Sequence, residues 1–397
     1  MAEQSTNIGA GSAGLRLRSL DVFRGWVMAL MLAVNLAHAG PPFPSWWGHA
    51  GWNEGRHGQG LADFVFPWFL FIVGAAVPFS MTSGRGASKP WASKIAGAAR
   101  RALVIYALGV LIAWSRSAGD TLARQGRPIG WSSLLVWDIL PLIALGYLVA
   151  VLLYAGPRWS WWAFVLAVMA GKAWILPDLA STAGLDRAPW SASRTDLDAD
   201  WRNVAWIGTG ITQGLPAAAA TVLGMIAGDL LRRASTGDVR AARAGWWIVL
   251  GGAGVIVAGV VWERLGMPYS KDFFTPTYVL LSAGTGAVLL GMTFLILDES
   301  RAGAWRVSRM KASFFEVFGR NAIALYVAHE VLWPTVMMRW RVKGPDGDGL
   351  LAFVSLKAWL GEAAGPTMGP WLAIAAYVGV WWVILWRMHR RGVYVKV

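Results

Sequence analysis

Residues 48–74, GHAGWNEGRHGQGLADFVFPWFLFIVG, open as a polar, histidine-bearing turn and run without a break into an apolar helix. A chain that passes from His49, Asn53, Glu54 and Asp63 straight into Phe, Trp, Leu, Ile and Val is crossing from water into hydrocarbon. This edge decides the reading of the rest. It predicts an all-α, polytopic membrane protein whose chemistry sits at one membrane face, with His49 at its centre.

Composition agrees. Of 397 residues, 56% are hydrophobic and 15% charged, and the mean hydropathy is +0.47, too apolar for a soluble domain of this size. About ten spans, each long enough for a ~30 Å hydrocarbon core, are expected near 20–39, 62–82, 95–115, 133–155, 159–176, 209–232, 244–262, 276–297, 318–338 and 370–388. Residues 350–363 carry Lys357 and Glu362 in an apolar frame and read as an interfacial helix rather than a further span. An even count puts both termini on one side. That side collects about 21 Lys and Arg against about 14 opposite, so both termini are expected in the cytoplasm and the loop 40–60 outside. The same loop charges account for the net charge of +14 without any nucleic-acid partner. Cysteine is absent, which removes disulfide and thiolate chemistry. Residues 1–17 read as a flexible cytoplasmic leader and 18–397 as a single transmembrane domain. The small residues of TGITQGLPAAAATVLGMIAG (209–228) suit close helix packing in lipid, and they leave room for a homodimer.

Ionisable and amide groups in or at the ends of spans are costly in lipid and mark function. Here they are Asp21, Arg24, Asn35 and His38 in span one, His49, Asn53 and Glu54 in the loop, Asp63 heading span two, Asp138 in span four, and Asn321, His329 and Glu330 in span nine. Asp21 and Arg24 share a helix face. They either pair at the inner boundary or leave the Arg24 guanidinium to meet an anion such as phosphate. Asn35 lies about 16 Å further along the same helix, at 1.5 Å per residue. A ligand touching both is extended, as a coenzyme A thioester is; helix packing without a ligand is the other reading. A histidine, with an unperturbed pKa near 6.5, can act as base or nucleophile at neutral pH. His49 has Trp52 as an aromatic wall and Asn53 and Glu54 as polar partners, against the plainer reading of a solvated loop histidine. His329 needs an orienting partner, expected in Glu330 or a loop carboxylate, and Asn321 lies two turns before it on the same face.

Five stretches, RSLDVFRGWVMALMLAVN (18–35), GHAGWNEG (48–55), ADFVFPWFLFIVG (62–74), TPTYVLLSAGTG (275–286) and FGRNAIALYVAHE (318–330), carry a resemblance. Together they resemble the transmembrane acyltransferases typified by heparan-alpha-glucosaminide N-acetyltransferase. The resemblance implies acetyl transfer from cytoplasmic acetyl-coenzyme A, as co-substrate and without a metal, to an amino sugar across the membrane. It implies His49 as the catalytic histidine and Asn35 as its companion. Trp52, Asn53, Glu54, Asp63, Asn321 and His329 would then line the acceptor side, and Arg24, Arg100 and Arg101 the basic mouth for the donor. Two routes are open. His49 acts as general base while Asn35 donates to the developing oxyanion, or His49 is itself transiently acetylated. The direct route is preferred because it needs no labile acyl-imidazole near water.

Two departures shape the expectation. Where the family often carries a Gln-Arg pair, this chain reads LLVWDILPLIALGYL (134–148) with Asp138, and its loop 40–47 is the Pro-rich GPPFPSWW. The first bears on the donor site; with the second, an amino sugar or envelope glycan is expected as acceptor rather than heparan sulfate, at a bacterial inner membrane. The competing reading, from another class, is an inner-membrane transporter for N-acetylglucosamine or a similar sugar, since Trp-lined cavities with few charges suit neutral sugars.

Overall fold

The computed structural model describes residues 17–37, 42–49, 60–82, 88–124, 138–182, 206–267, 269–271, 273–299, 314–337, 339–347 and 349–395. Helices dominate them: α1 (Arg18–Leu36), α2 (Leu61–Thr82), α3 (Trp91–Arg124), α4 (Ile139–Tyr154), α5 (Arg158–Thr182), α6 (Trp206–Ser235), α7 (Ala241–Arg264), α8 (Pro276–Phe294), α9 (314–320), α10 (Ala322–Leu332) and α11 (Ala352–Arg390). Among the described residues, seven stretches are long and apolar enough to cross a membrane. They are α1, α2, Trp91–Ser115 of α3, Thr212–Ser235 of α6, α7, α8 with its trailing π-turn to Glu299, and α11. The chain is therefore an all-α, multi-pass membrane protein.

Glycine brings the central helices together. A Cβ on Gly224 of α6 would lie 1.9 Å from the Phe71 carbonyl oxygen of α2, and one on Gly74 would lie 1.8 Å from the Thr221 oxygen. Only hydrogen fits at these crossings, so the small-residue stretch 209–228 packs closely, as its composition predicts. A second crossing joins α1 to α9, where a Cβ on Gly25 would meet the Phe315 oxygen at 1.7 Å.

Two prolines inside the spans create a demand that tertiary contacts meet. Each lacks an N–H and so frees the carbonyl four residues earlier, and hydrocarbon offers no water to satisfy it. Pro67 frees the Asp63 carbonyl, which accepts from the Tyr278 hydroxyl of α8 at 2.5 Å. Pro216 frees the Thr212 carbonyl, which accepts from buried Lys172 Nζ of α5 at 2.8 Å.

The structure departs from the sequence reading at several boundaries. Helix α4 begins at Ile139 instead of 133, because Asp138 is its N-cap and accepts from the Ile139 N–H at 2.8 Å, a role short acids fill well. The expected span 318–338 is divided at Asn321 into α9 and α10. The expected interfacial helix and last span are the two parts of α11, separated by Gly365 at φ 87°, a left-handed conformation that glycine adopts without a Cβ clash. A short antiparallel hairpin, Arg341–Lys343 with Gly349–Leu351, precedes α11 and was not expected; the turn-rich GPDGDG between its strands is its signal.

The α2–α6 crossing generates a paired test. Gly224→Ala should destabilise the protein by about 1–3 kcal/mol through overpacking. Gly254→Ala, whose Cβ would meet nothing within 4 Å, should be neutral or stabilising by up to about 1 kcal/mol. Thermal unfolding of both variants in one detergent makes the comparison.

Candidate active site

The loop before α2 is fixed by the helix it precedes. The first N–H groups of a helix have no intrahelical acceptor. The carbonyls of Trp46 and Trp47 supply them, taking Leu61 N at 2.7 Å and Ala62 N at 3.3 Å. Phe43 and Trp47 pack edge-on against Trp371 of α11, with centroids 4.8 and 5.1 Å away. His49 is thereby held over the start of α2.

Asp63 occupies the third position of that helix, and its carboxylate reaches back to the Gly60 N–H at 3.2 Å while its own N–H bonds the Gly60 carbonyl at 3.0 Å, the reciprocal geometry of a capping box. The other oxygen, Oδ1, receives His49 Nδ1 at 2.6 Å and Lys271 Nζ at 3.3 Å. Lys271 Nζ also stands 3.1 Å from His49 Nδ1. The Asp63 side chain is 2% exposed, against 55% for His49. A carboxylate so buried needs charged and hydrogen-bonding partners, and the positive end of α2 adds to them. With Nδ1–H donating to Asp63, His49 Nε2 keeps its lone pair and can accept a proton.

Below His49 lies a cavity of about 140 Å³ lined by Asn35, Lys271, Tyr326 and Glu330 among apolar side chains. Phe69, Val73, Ile105 and Ile323 also line a second cavity of about 390 Å³, which holds Arg24, Arg101 and Arg320. The second in turn shares Ser80, Arg101 and Tyr147 with a third, of about 480 Å³, bearing Lys89, Lys94 and Arg100. Three adjoining cavities thus run from a strongly basic mouth to the histidine.

The structure brings His49, Asn35 and Asp63 together, and Arg24, Arg100 and Arg101 line the basic cavities. Arg24 sits near Asp21, as one of its two readings expected. It stands 3.6 Å from Asp21 and donates to the Gly319 carbonyl at 3.5 Å while facing the cavity. His329 does not line the cavity that its neighbour Glu330 lines. Buried, it meets the Tyr377 hydroxyl of α11 at 2.9 Å. Asn321 is at the opposite end of α10, where its amide binds the Val393 carbonyl at 3.2 Å and the Val395 N–H at 3.0 Å. Trp52, Asn53 and Glu54 lie outside the described residues.

Lys271 and Arg320 were not assigned to the site from the sequence, and Glu330, singled out there as a partner for His329, lines the cavity beneath His49. Lys271 stands in PYSKDFFTP, at the head of an apolar span and beside the family-like TPTYVLLSAGTG; a cation at a span boundary ordinarily reads as a snorkelling residue, which hides it. Among the described residues no cluster of three His, Cys, Asp or Glu is placed to hold a metal ion.

Fold and site together define a class: an all-α, multi-pass membrane protein with a carboxylate-held histidine at one end of its helices and a basic mouth reached through cavities. Human heparan-alpha-glucosaminide N-acetyltransferase is 26% identical to the chain over 392 residues, and the mouse enzyme of the same name is 24% identical over 390. Each match covers 83% of this chain and 55% or 56% of the relative, so the chain spans little more than half the length of the proteins it matches. No family model matches the chain. The chain resembles these acetyltransferases, as its motifs suggest.

Tyr278→Phe should leave the Asp63 carbonyl without its donor and cost about 1–3 kcal/mol of stability. Thermal unfolding reads this, and an unchanged midpoint would contradict the role given to Tyr278.

Proposed function

We propose that the protein is an acyltransferase of a bacterial inner membrane that takes acetyl from cytoplasmic acetyl-coenzyme A and delivers it to an amino sugar or envelope glycan on the opposite side. The observation that carries this reading is the run of cavities joining Lys89, Lys94, Arg100, Arg101 and Arg24 to His49. Its shape and charge suit an extended, polyanionic thioester. Phosphates meet guanidinium groups at the mouth, where fork geometry and charge favour them, and the uncharged arm lies along Phe69, Val73, Ile105 and Ile323. The accompanying topology is about ten spans in one domain, 18–397, with both termini cytoplasmic, which puts His49 outside.

In the reaction His49 Nε2 takes a proton from the acceptor amine as its nitrogen attacks the thioester carbon. Asp63 holds Nδ1–H, keeping the ring in the productive tautomer. Asn35 and Lys271, both on the cavity wall, supply the donor and the positive charge for the developing oxyanion. The C–N bond forms, the C–S bond breaks, and the proton on His49 passes to the leaving thiolate. This direct route needs no covalent intermediate. The similarity to the named acetyltransferases supports the reaction class, and the acceptor is narrowed by the envelope setting alone.

The test uses proteoliposomes with labelled acetyl-coenzyme A on one side and glucosamine on the other. His49→Ala should lower kcat by about 10²–10⁴-fold, the usual range for a general base; transfer at the wild-type rate would sink the proposal. Arg101→Gln should raise the KM for acetyl-coenzyme A about tenfold or more, the loss of one charged hydrogen bond, with kcat little changed. Accumulation of labelled N-acetylglucosamine without any acetyl donor would instead make the protein a transporter.

A further inference from the structure

Between α5, α6, α7 and α8 lies a groove of about 360 Å³ that shares no lining residue with the cavities leading to His49. Its floor is apolar, built from Trp161, Ile226, Leu230 and Ile248. Its rim carries Trp162 and Trp247, each about half exposed at 49% and 50%. In a multi-pass membrane protein such a face meets lipid, and indoles at its edge mark the level of the headgroups. One end of the groove is basic, lined by Arg158 and Arg233. The buried carboxylate of Asp229 is also there, but it is already engaged by Arg158 Nη2 at 3.0 Å, Arg232 Nε at 3.3 Å and the Tyr154 hydroxyl at 3.2 Å. One carboxylate among three guanidinium groups leaves this end positive. Arg233 makes no side-chain hydrogen bond or ion pair among the described residues. Arg243 lies 5.8 Å over the Trp247 ring, fixing that wall and adding charge.

We propose that this groove holds an anionic phospholipid, its phosphate on Arg233 and Arg158 and one acyl chain along the apolar floor between Trp162 and Trp247. Charge selects the headgroup: a zwitterionic lipid brings an ammonium against the same arginines, whereas an anionic one does not. The apolar floor selects a lipid over a free phosphate, because a soluble anion leaves that surface uncovered. Gly251 lines the groove, and a Cβ there would meet nothing within 4 Å. A larger side chain at this position therefore fills the groove and spares the helix crossing.

Native mass spectrometry of the full chain, exchanged from detergent with equal phosphatidylglycerol and phosphatidylcholine of the same acyl chains, tests it. Phosphatidylglycerol should be retained several-fold more than phosphatidylcholine. Arg233→Gln should bring its retention down to the phosphatidylcholine level, and Gly251→Leu should reduce retention of both while the thermal midpoint in detergent stays near wild type. Equal retention of the two lipids, or no effect of Arg233→Gln, would overturn the proposal. Displacement of phosphatidylglycerol by inorganic phosphate at matched concentration would assign the groove to a free anion. A dimer that Gly251→Leu dissociates would assign it to a second copy of the chain.

Discussion

Burying Asp63 imposes the constraint on which the site depends. Pro67 removes the partner of its backbone carbonyl, and its carboxylate is nearly inaccessible to water, so one residue places two unmet acceptors at the edge of the membrane. Each is answered from a different element. Tyr278 of α8 takes the carbonyl, the Gly60 N–H takes one carboxylate oxygen, and His49 with Lys271 takes the other. Breaking any one of these exposes the cost of the rest, because a buried carboxylate with a missing partner is far worse than a solvated one. The histidine is therefore held by the same contacts that allow α2 to begin where it does.

The scaffold behind that node is set by backbone contact. Gly74 and Gly224 let α2 and α6 touch, Gly25 and Gly319 let α1 touch α9, and Gly252 and Gly284 do the same for α7 and α8. Lipid provides no hydrophobic drive for helix association, so close approach and dispersion must supply it. With α2 pinned on one side against α6, its opposite face, through Phe69 and Val73, is left to line the passage from Arg101 to His49. Close packing and cavity lining are two faces of one helix.

Much of this was legible in the sequence. The helix-rich membrane class follows from hydropathy alone; His49, Asn35 and Asp63 stand out singly as polar residues at span ends, and their grouping comes from the family resemblance. The basic cavities were readable as arginines at the ends of spans. What stayed hidden depends on distant contacts. Asp138 reads as a polar intruder in a span until the helix is seen to start one residue later, where an acid is a cap. His329 and Glu330 are adjacent, yet consecutive helix positions point about 100° apart, and only Glu330 lines the cavity beneath His49, while His329 bonds Tyr377 across the bundle. Lys271 lies more than two hundred positions from His49, and no local periodicity reports that separation. Asn321 looked like a site residue because it shares a helix with His329; its amide is spent on the chain near Val393 and Val395.

The account rests on a coenzyme A thioester entering through the arginines and ending at His49. Calorimetric titration of the solubilised protein with acetyl-coenzyme A, beside Arg24→Ala and His49→Ala, examines that directly. Saturable binding that Arg24→Ala weakens and His49→Ala leaves intact is the predicted result, since the guanidinium grips the donor and the imidazole acts only on its acyl group. Absence of binding, or binding indifferent to Arg24, would contradict it.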